Sequence, residues 1–127
     1  MSAEPADLLP IHLLIVDDEA ISALALERFL GRKGFRVSVA GDGEKALAIQ
    51  ERDPARLVVT DVRMPRCSGG ELVQRLRRED PSLPVIVMTG YMAADAETAG
   101  FTGPNTVVLQ KPLDVEELLA HIRRLVA

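Results

Sequence analysis

Five short apolar runs recur along the chain, and each is long enough to form one buried strand. Most of them contain consecutive rather than alternating apolar residues, which is typical of strands covered on both faces in a parallel sheet. The spacing between the runs leaves room for one helix after each strand. The runs are Ile11 to Val16, Phe35 to Ala40, Leu57 to Thr60, Pro84 to Thr89 and Thr106 to Leu109.

The segments between these runs carry helix signals of unequal strength. The last segment is the clearest, because the capping-box pair Asp114 and Glu117 accompanies apolar residues at helical spacing from Val115 to Leu125. Asp42, and Ser68 with Glu71, predict the starts of two earlier helices. A further helix between Met92 and Asn105 would be short, because glycines and a proline interrupt it. The other helices are predicted over Ala20 to Leu30, over Gly43 to Arg52, from Ser68 onward and from Asp114 onward.

The regular alternation of strands and helices predicts an α/β fold in which one parallel sheet lies between two layers of helices. Residues 11–127 are expected to form this single domain. Residues 1–10, which contain two prolines and no periodicity, are expected to form a flexible leader. Ligands of such sheets bind beyond the carboxyl ends of the strands, so functional residues are expected just after each apolar run.

The composition and net charge of the chain exclude several classes of protein. With 47% apolar and 27% charged residues in a chain of 127, the composition is that of an ordinary globular domain. The net charge of −4 has the wrong sign for a surface that binds nucleic-acid phosphates, so no direct nucleic acid binding is expected. No membrane span or signal peptide is predicted, and the single cysteine, Cys67, cannot form an intrachain disulfide. These features predict a cytoplasmic protein.

Four of the predicted strands end in polar side chains suited to phosphoryl chemistry. Asp17 and Asp18 follow the first strand, Asp61 the third and Lys111 the fifth, while Thr89 ends the fourth. Each could alone be a helix cap, a turn residue or a solvated charge. Caps and solvated charges have no reason to fall at successive strand ends on one edge, so together these residues indicate a functional site.

The chemistry of that site follows from its charges. Three converging carboxylates would repel one another unless a cation joined them, and an all-oxygen donor set favours Mg²⁺. Lys111 offers a point charge for a phosphoryl oxygen, and Thr89 a hydroxyl donor. The ensemble combines one nucleophilic carboxylate, a metal, a cation and a hydroxyl donor, which is typical of a phosphoryl-transfer site.

Four motifs, spread over residues 11 to 126, resemble those of receiver domains of bacterial two-component response regulators. They are Val16-Asp17-Asp18-Glu19, Asp61-Val62-Arg63-Met64-Pro65, Thr89-Gly90 and Lys111-Pro112. The resemblance implies a flavodoxin-like sheet in the order 2-1-3-4-5, a fold for which receivers are a standard example. It implies that Asp61 accepts a phosphoryl group, that Asp17, Asp18, Asp61 and the Arg63 carbonyl hold Mg²⁺, and that Thr89 and Lys111 bind the phosphoryl oxygens. It also implies a cis Lys111-Pro112 bond.

The same resemblance implies the partners. A sensor histidine kinase or a phosphotransfer protein would donate the phosphoryl group, and a downstream effector or a covalently linked output domain would read the change; the family also allows a weak homodimer. The protein would then be a signalling switch and not an enzyme acting on other substrates. Val108 replaces the aromatic residue that many receivers carry three positions before the lysine that corresponds to Lys111. By the same resemblance, Arg63 and Tyr91 are expected to set how long the phosphoryl group stays on Asp61.

Other interpretations stay open on the sequence alone. Haloacid-dehalogenase-like phosphatases also use a strand-end aspartate with Mg²⁺, so a small Mg²⁺-dependent phosphatase is an alternative. A phosphate-independent binding module is another. The sequence also leaves open whether the receiver stands alone or belongs to a longer regulator or a hybrid kinase. His12 and His121 are expected to be structural, and Cys67 to be a loop thiol without chemistry.

Overall fold

A computed structural model describes residues 10–64, 67–90, 101 and 103–127. Its five strands are β1 (His12–Val16), β2 (Arg36–Ala40), β3 (Leu57–Asp61), β4 (Val85–Thr89) and β5 (Thr106–Gln110). The helices in this part of the chain are α1 (Ala20–Arg32), α2 (Gly43–Arg52), α3 (Gly69–Glu79) and α4 (Val115–Val126). Most of the segment from Met92 to Asn105 lies outside the described residues, as does most of the predicted leader.

The sheet is parallel throughout, with the strand order β2-β1-β3-β4-β5. This order confirms the predicted flavodoxin-like topology. Strands β1, β3 and β4 form the middle of the sheet and are buried along their whole length, which explains their consecutive apolar residues. The edge strands β2 and β5 are only partly buried.

Alternate residues of each central strand point to opposite faces of the sheet, and each face carries its own layer of helices. One face, here called the α2/α3 face, packs Leu14 and Val58 against Ala46 of α2 and Leu72 of α3. The other, the α1/α4 face, packs residues from the strands against residues from α1 and α4, including Leu13, Ile15, Leu26, Leu30, Leu118 and Ile122. The predicted three-layer arrangement is therefore confirmed.

The predicted helix caps are present. Asp42 accepts a hydrogen bond from the Lys45 N–H, and Ser68 accepts one from the Glu71 N–H. Asp114 accepts bonds from the N–H groups of Glu116 and Glu117. These bonds satisfy amide donors that have no partner within the first turn of a helix, and so fix where each helix begins.

Several predicted boundaries were wrong by one or two residues. The first, second and fourth strands begin one residue later than predicted, and the third and fifth end one residue later, at Asp61 and Gln110. Helix α1 continues two residues beyond Leu30, to Arg32, before Gly34 with a φ of 95° turns the chain away.

Candidate functional site

The residues predicted at the strand ends lie together at the carboxyl edge of the sheet. Asp61 is the last residue of β3 and Thr89 the last of β4, while Asp17 and Lys111 directly follow β1 and β5. Because β1, β3, β4 and β5 are consecutive neighbours in the sheet, their ends form one continuous edge. Lys111 lies two strands away from Asp61, so its side chain passes the end of β4 to reach the carboxylate.

Three carboxylates form a cluster at this edge. Oxygen atoms of Asp17, Asp18 and Asp61 all lie within 4.8 Å of one another. Asp17 and Asp61 are buried, with 2% and 8% of their surface exposed, whereas Asp18 is exposed to solvent. The cluster therefore has two buried members and one that opens to water.

Backbone amides orient the two buried carboxylates. Oδ1 of Asp17 accepts a hydrogen bond of 2.9 Å from the Glu19 N–H, and Oδ1 of Asp61 accepts one of the same length from the Val62 N–H. Burial raises the pKa of the Asp17 carboxyl, although the Glu19 N–H and the charge of Lys111 act in the opposite direction. Holding Asp17 ionised in this position therefore costs free energy when no further cation is present.

Lys111 supplies the positive charge of the site. Its Nζ lies 2.8 Å from Oδ2 of Asp61, and its backbone N–H donates a 2.7 Å hydrogen bond to the Thr89 carbonyl. Burial lowers the pKa of the lysine, but the bond to Asp61 and the charges of Asp61, Asp17 and Glu19 outweigh it, so the net shift is upward. Lys111 is therefore held as a cation, and the Lys111-Pro112 bond beside it is cis, as the resemblance implies.

The remaining predicted residues are placed as follows. Thr89 is buried at the end of β4, with 1% of its surface exposed. Arg63 lies two residues beyond Asp61 and is exposed, and the role of its carbonyl stays a prediction. Tyr91 lies outside the described residues. A Cβ atom at Gly90 would meet no heavy atom within 4 Å in the described part of the chain.

Gly69, which the sequence analysis did not single out, contacts the acceptor strand. A Cβ atom at this position would overlap the carbonyl oxygen of Asp61, so only glycine fits without a shift of the backbone. The Gly69 N–H donates a 2.9 Å bond to the Val62 carbonyl. The first turn of α3 is therefore in direct contact with the end of β3. The available signal was the glycine pair directly after the Ser68 cap.

His12 and Cys67 lie in packed surroundings, and the absence of chemistry at His12, His121 and Cys67 stays a prediction. His12 is buried and contacts the Ser38 hydroxyl at 2.7 Å and the Pro54 carbonyl at 3.3 Å. Cys67 is a free, buried thiol that packs within the α2/α3 face, and burial raises its pKa. Neither residue lies among the carboxylates of the site.

The donor set of the cluster fits Mg²⁺. The ion prefers oxygen ligands, binds through one or two carboxylates and completes its shell with water and phosphate oxygens. Asp17, Asp18 and Asp61 offer carboxylate oxygens only, and the exposed side of Asp18 leaves room for water. With Lys111 included, these four side chains carry a net charge of −2, which a divalent cation would neutralise.

A groove of about 500 Å³ opens next to the cluster, between α1 and the residues that follow β5. Asp17, Glu19 and Lys111 line one end of it, and its other walls are largely apolar, formed by residues such as Ala25, Leu26, Met88, Pro112 and Leu113. Ile21, in the first turn of α1, is 86% exposed. A largely apolar surface thus adjoins Asp17 and Lys111 of the site.

Comparison with known proteins agrees with this architecture. The family model of the response regulator receiver domain matches residues 13–123. The chain is 36% identical over 120 residues to a probable transcriptional regulatory protein, TcrX, of Mycobacterium tuberculosis, and 37% identical over 117 residues to the response regulator MprA of Mycolicibacterium vanbaalenii. These alignments cover 94% and 92% of this chain and 51% of each relative, so the chain spans about half the length of the relatives that it matches.

Two of the similar solved structures are matched along almost their whole length. A response regulator receiver protein from Sinorhizobium medicae has a TM-score of 0.81 and 30% identity, over 92% of this chain and 94% of its own. The chemotaxis protein CheY4 of Vibrio cholerae has a TM-score of 0.83 and 27% identity, over 91% of this chain and 98% of its own. Among the described residues, no helix is both long and apolar enough to cross a membrane.

Proposed function

The chain belongs to the response regulator receiver domain family of two-component systems, and we propose that its carboxyl-edge site takes up a phosphoryl group on Asp61 in a Mg²⁺-dependent reaction. Residues 11–127 form the proposed receiver domain. The observation that carries the proposal is the position of Asp61, between two further carboxylates within 4.8 Å and the Lys111 ammonium at 2.8 Å. This arrangement combines a nucleophile, a site for a divalent cation and a fixed positive charge.

The proposed step is a transfer between two side chains. A carboxylate oxygen of Asp61 attacks the phosphorus of a phosphohistidine, and the new O–P bond forms as the P–N bond breaks. The electron pair of the broken bond leaves with the imidazole, which takes up a proton from solvent. Later hydrolysis of the acyl phosphate returns Asp61 to its carboxylate form, so the protein acts as a switch and not as an enzyme with a separate substrate.

The other residues of the site have distinct proposed roles. Asp17, Asp18, Asp61 and the Arg63 carbonyl would hold Mg²⁺, which would supply positive charge opposite the phosphoryl oxygens. Lys111 gives up part of its interaction with Asp61 and binds a phosphoryl oxygen as a point charge. The Thr89 hydroxyl, at the end of the adjacent strand, donates to another phosphoryl oxygen. Arg63 and Tyr91 set the rate of phosphate loss.

The proposed donor is a sensor histidine kinase or a phosphotransfer protein. The groove supports this, since it combines Asp17 and Lys111 of the site with largely apolar walls, and the exposed Ile21 lies on the same helix, α1, as part of its lining. A protein surface that presents a phosphohistidine could bury these apolar side chains on binding, whereas a small polar phosphodonor would leave them exposed. The proposed recipient of the signal is an effector or a linked output domain, since the longer relatives are named as a transcriptional regulatory protein and a response regulator. The proposed location is the cytoplasm.

Incubation with acetyl phosphate and Mg²⁺, followed by mass spectrometry of the intact protein, tests the proposal. We expect one added phosphoryl group in the unchanged protein and in an Asp80→Asn control, because Asp80 caps the far end of α3. We expect none in Asp61→Asn or when EDTA removes the metal. An added phosphoryl group that persists in Asp61→Asn would refute the assignment, and sustained hydrolysis of p-nitrophenyl phosphate would favour the phosphatase alternative.

A further inference from the structure

Phe101 packs on the amino-terminal turn of α3. The ring belongs to the core of the α2/α3 face, and only 6% of the residue is exposed. A Cβ atom at Gly70 would lie 3.7 Å from Cζ of Phe101, which is ordinary van der Waals contact. The missing side chain at Gly70 thus brings the ring close to the backbone of the helix.

The same helical turn is joined to the end of β3. Gly69 leaves no space between its α-carbon and the Asp61 carbonyl, and its N–H bonds to the Val62 carbonyl. The Val62 N–H in turn donates to the carboxylate of Asp61. A change at the Asp61 side chain therefore acts on a short chain of direct contacts that ends at Gly70 and Phe101.

Residues 103–106 are held by other contacts. The Arg77 guanidinium, near the end of α3, donates to the carbonyls of Leu83 and Asn105 at 2.9 and 3.2 Å. The Asn105 side chain donates to the Ser82 carbonyl at 3.0 Å, and Gly103, with a φ of 115°, forms a turn closed by the Thr106 N–H. With these residues held, we expect a shift of the first turn of α3 to move the ring that packs on it.

We propose that Phe101 is a coupling residue that responds to the state of Asp61 through the Gly69–Gly70 turn. This inference rests on the proposed function. Phosphorylation would raise the charge on the Asp61 side chain from −1 to nearly −2. The amide groups at the start of α3 form the positive end of that helix and would be drawn towards the added charge. Because protein interiors are closely packed, a small movement of this turn displaces the ring that rests on it.

Fluorine NMR of protein labelled with fluorophenylalanine tests the coupling without a substitution at the site. The chain has three phenylalanines, so three resonances are expected, which Phe→Leu variants assign. Phe29 and Phe35 pack on the opposite, α1/α4 face and are internal controls. Each sample is treated with acetyl phosphate and Mg²⁺, and its phosphoryl content is measured by mass spectrometry alongside the spectrum.

The outcomes separate this inference from the proposed function. We expect a shift of the Phe101 resonance that exceeds its linewidth, little change at Phe29 and Phe35, and no phosphate-dependent change in Asp61→Asn. Phosphoryl incorporation without a shift at Phe101, or with equal shifts at all three rings, would overturn the coupling while leaving Asp61 as the acceptor. Absence of incorporation would overturn both.

A Gly70→Ala variant gives a second test. The added methyl group fits at normal contact distance, so we expect the variant to fold and to take up phosphate as the unchanged protein does. We also expect the resting Phe101 resonance to move and its phosphorylation-dependent shift to change in size. In Gly31→Ala, where a Cβ atom meets nothing within 4 Å, neither should change. A Gly70→Ala protein with both Phe101 shifts unaltered would contradict the proposed contact path.

Discussion

Replacement of Asp17 by asparagine is expected to stabilise the protein in the absence of metal, although Asp17 belongs to the proposed site. The residue is 2% exposed, and burial raises the pKa of its carboxyl, so the ionised side chain costs free energy in the folded state. Asparagine is close in size and keeps an oxygen that can accept the hydrogen bond from the Glu19 N–H. The substitution therefore removes the charge with little change in packing.

The size of the effect follows from the distances within the cluster. Two unit charges 4.8 Å apart repel by about 3.5 kcal/mol at an effective dielectric constant of about 20. The attraction of Asp17 to Lys111 offsets much of this repulsion, and solvent at Asp18 screens a further part. We therefore expect a net gain of about 1 kcal/mol, which corresponds to a rise in Tm of about 4 °C for a domain of this size.

Thermal unfolding at pH 7, with EDTA and with Mg²⁺, measures this effect. In EDTA, Asp17→Asn should unfold at a higher temperature than the unchanged protein. Saturating Mg²⁺ should reverse the order, since a ligand at 100 times its Kd stabilises by about 2.7 kcal/mol and the variant lacks one metal ligand. Glu51→Gln, which removes one negative charge on the exposed side of α2, is the matched control and should show neither effect.

The dependence on pH has a definite sign. A carboxyl with a raised folded-state pKa binds its proton more tightly in the folded protein, so its ionisation lowers stability as the pH rises above the ordinary value of 3.8. The difference between the variant and the unchanged protein in EDTA should thus shrink as the pH falls towards 4. A metal-free Asp17→Asn protein that is less stable than the unchanged protein at pH 7, while Glu51→Gln is unaffected, would refute this reasoning.

Two further predictions concern neighbours of Asp61. Lys111→Met removes the charge 2.8 Å from the acceptor, and the rate of phosphoryl incorporation from acetyl phosphate should fall by about 100-fold; a rate within twofold of the unchanged protein would contradict this role. Gly69→Ala forces α3 away from the Asp61 carbonyl and should cost about 1–3 kcal/mol in urea unfolding, whereas Gly31→Ala, in open space on α1, should gain up to about 1 kcal/mol. Equal effects at the two glycines would exclude the close contact.

The strands could be predicted from the sequence because burial on both faces leaves an uninterrupted apolar run. Their ends could be predicted less well, because boundaries depend on hydrogen bonds that hydrophobicity does not record. Pro84 continues the apolar run, but it has no N–H to donate, and β4 begins at Val85. The Pro84 carbonyl nevertheless accepts a bond from the Val58 N–H. The caps at Asp42, Ser68 and Asp114 could be predicted because they act within one turn.

The residues of the site also differ in how well they could be predicted from the sequence. The strand-end rule placed Asp17, Asp61 and Lys111 at one edge, because the carboxyl ends of parallel strands share an edge, whereas the order of the strands was implied only by the family resemblance. The contact of Gly69 with Asp61 could not be predicted, because it depends on how the loop after β3 returns α3 to the sheet. Val108 was noted in place of an aromatic residue, and it is half-buried on the α2/α3 face. In the part of the chain that the structure describes, Phe101 is the aromatic residue in the core of that face.

The electrostatics of the site indicate where a response to phosphorylation should be concentrated. Asp17, Asp18, Asp61 and Lys111 carry a net charge of −2, which a divalent cation would bring to neutrality. A phosphoryl group on Asp61 adds nearly one further negative charge, which the bound cation alone would leave uncompensated. In the described part of the chain, the Lys111 ammonium contacts the Asp61 carboxylate, and the positive amino-terminal end of α3 adjoins the Asp61 carbonyl through Gly69. We therefore expect the largest changes at the end of β5 and at the first turn of α3, and the smallest at the outer edge of β2.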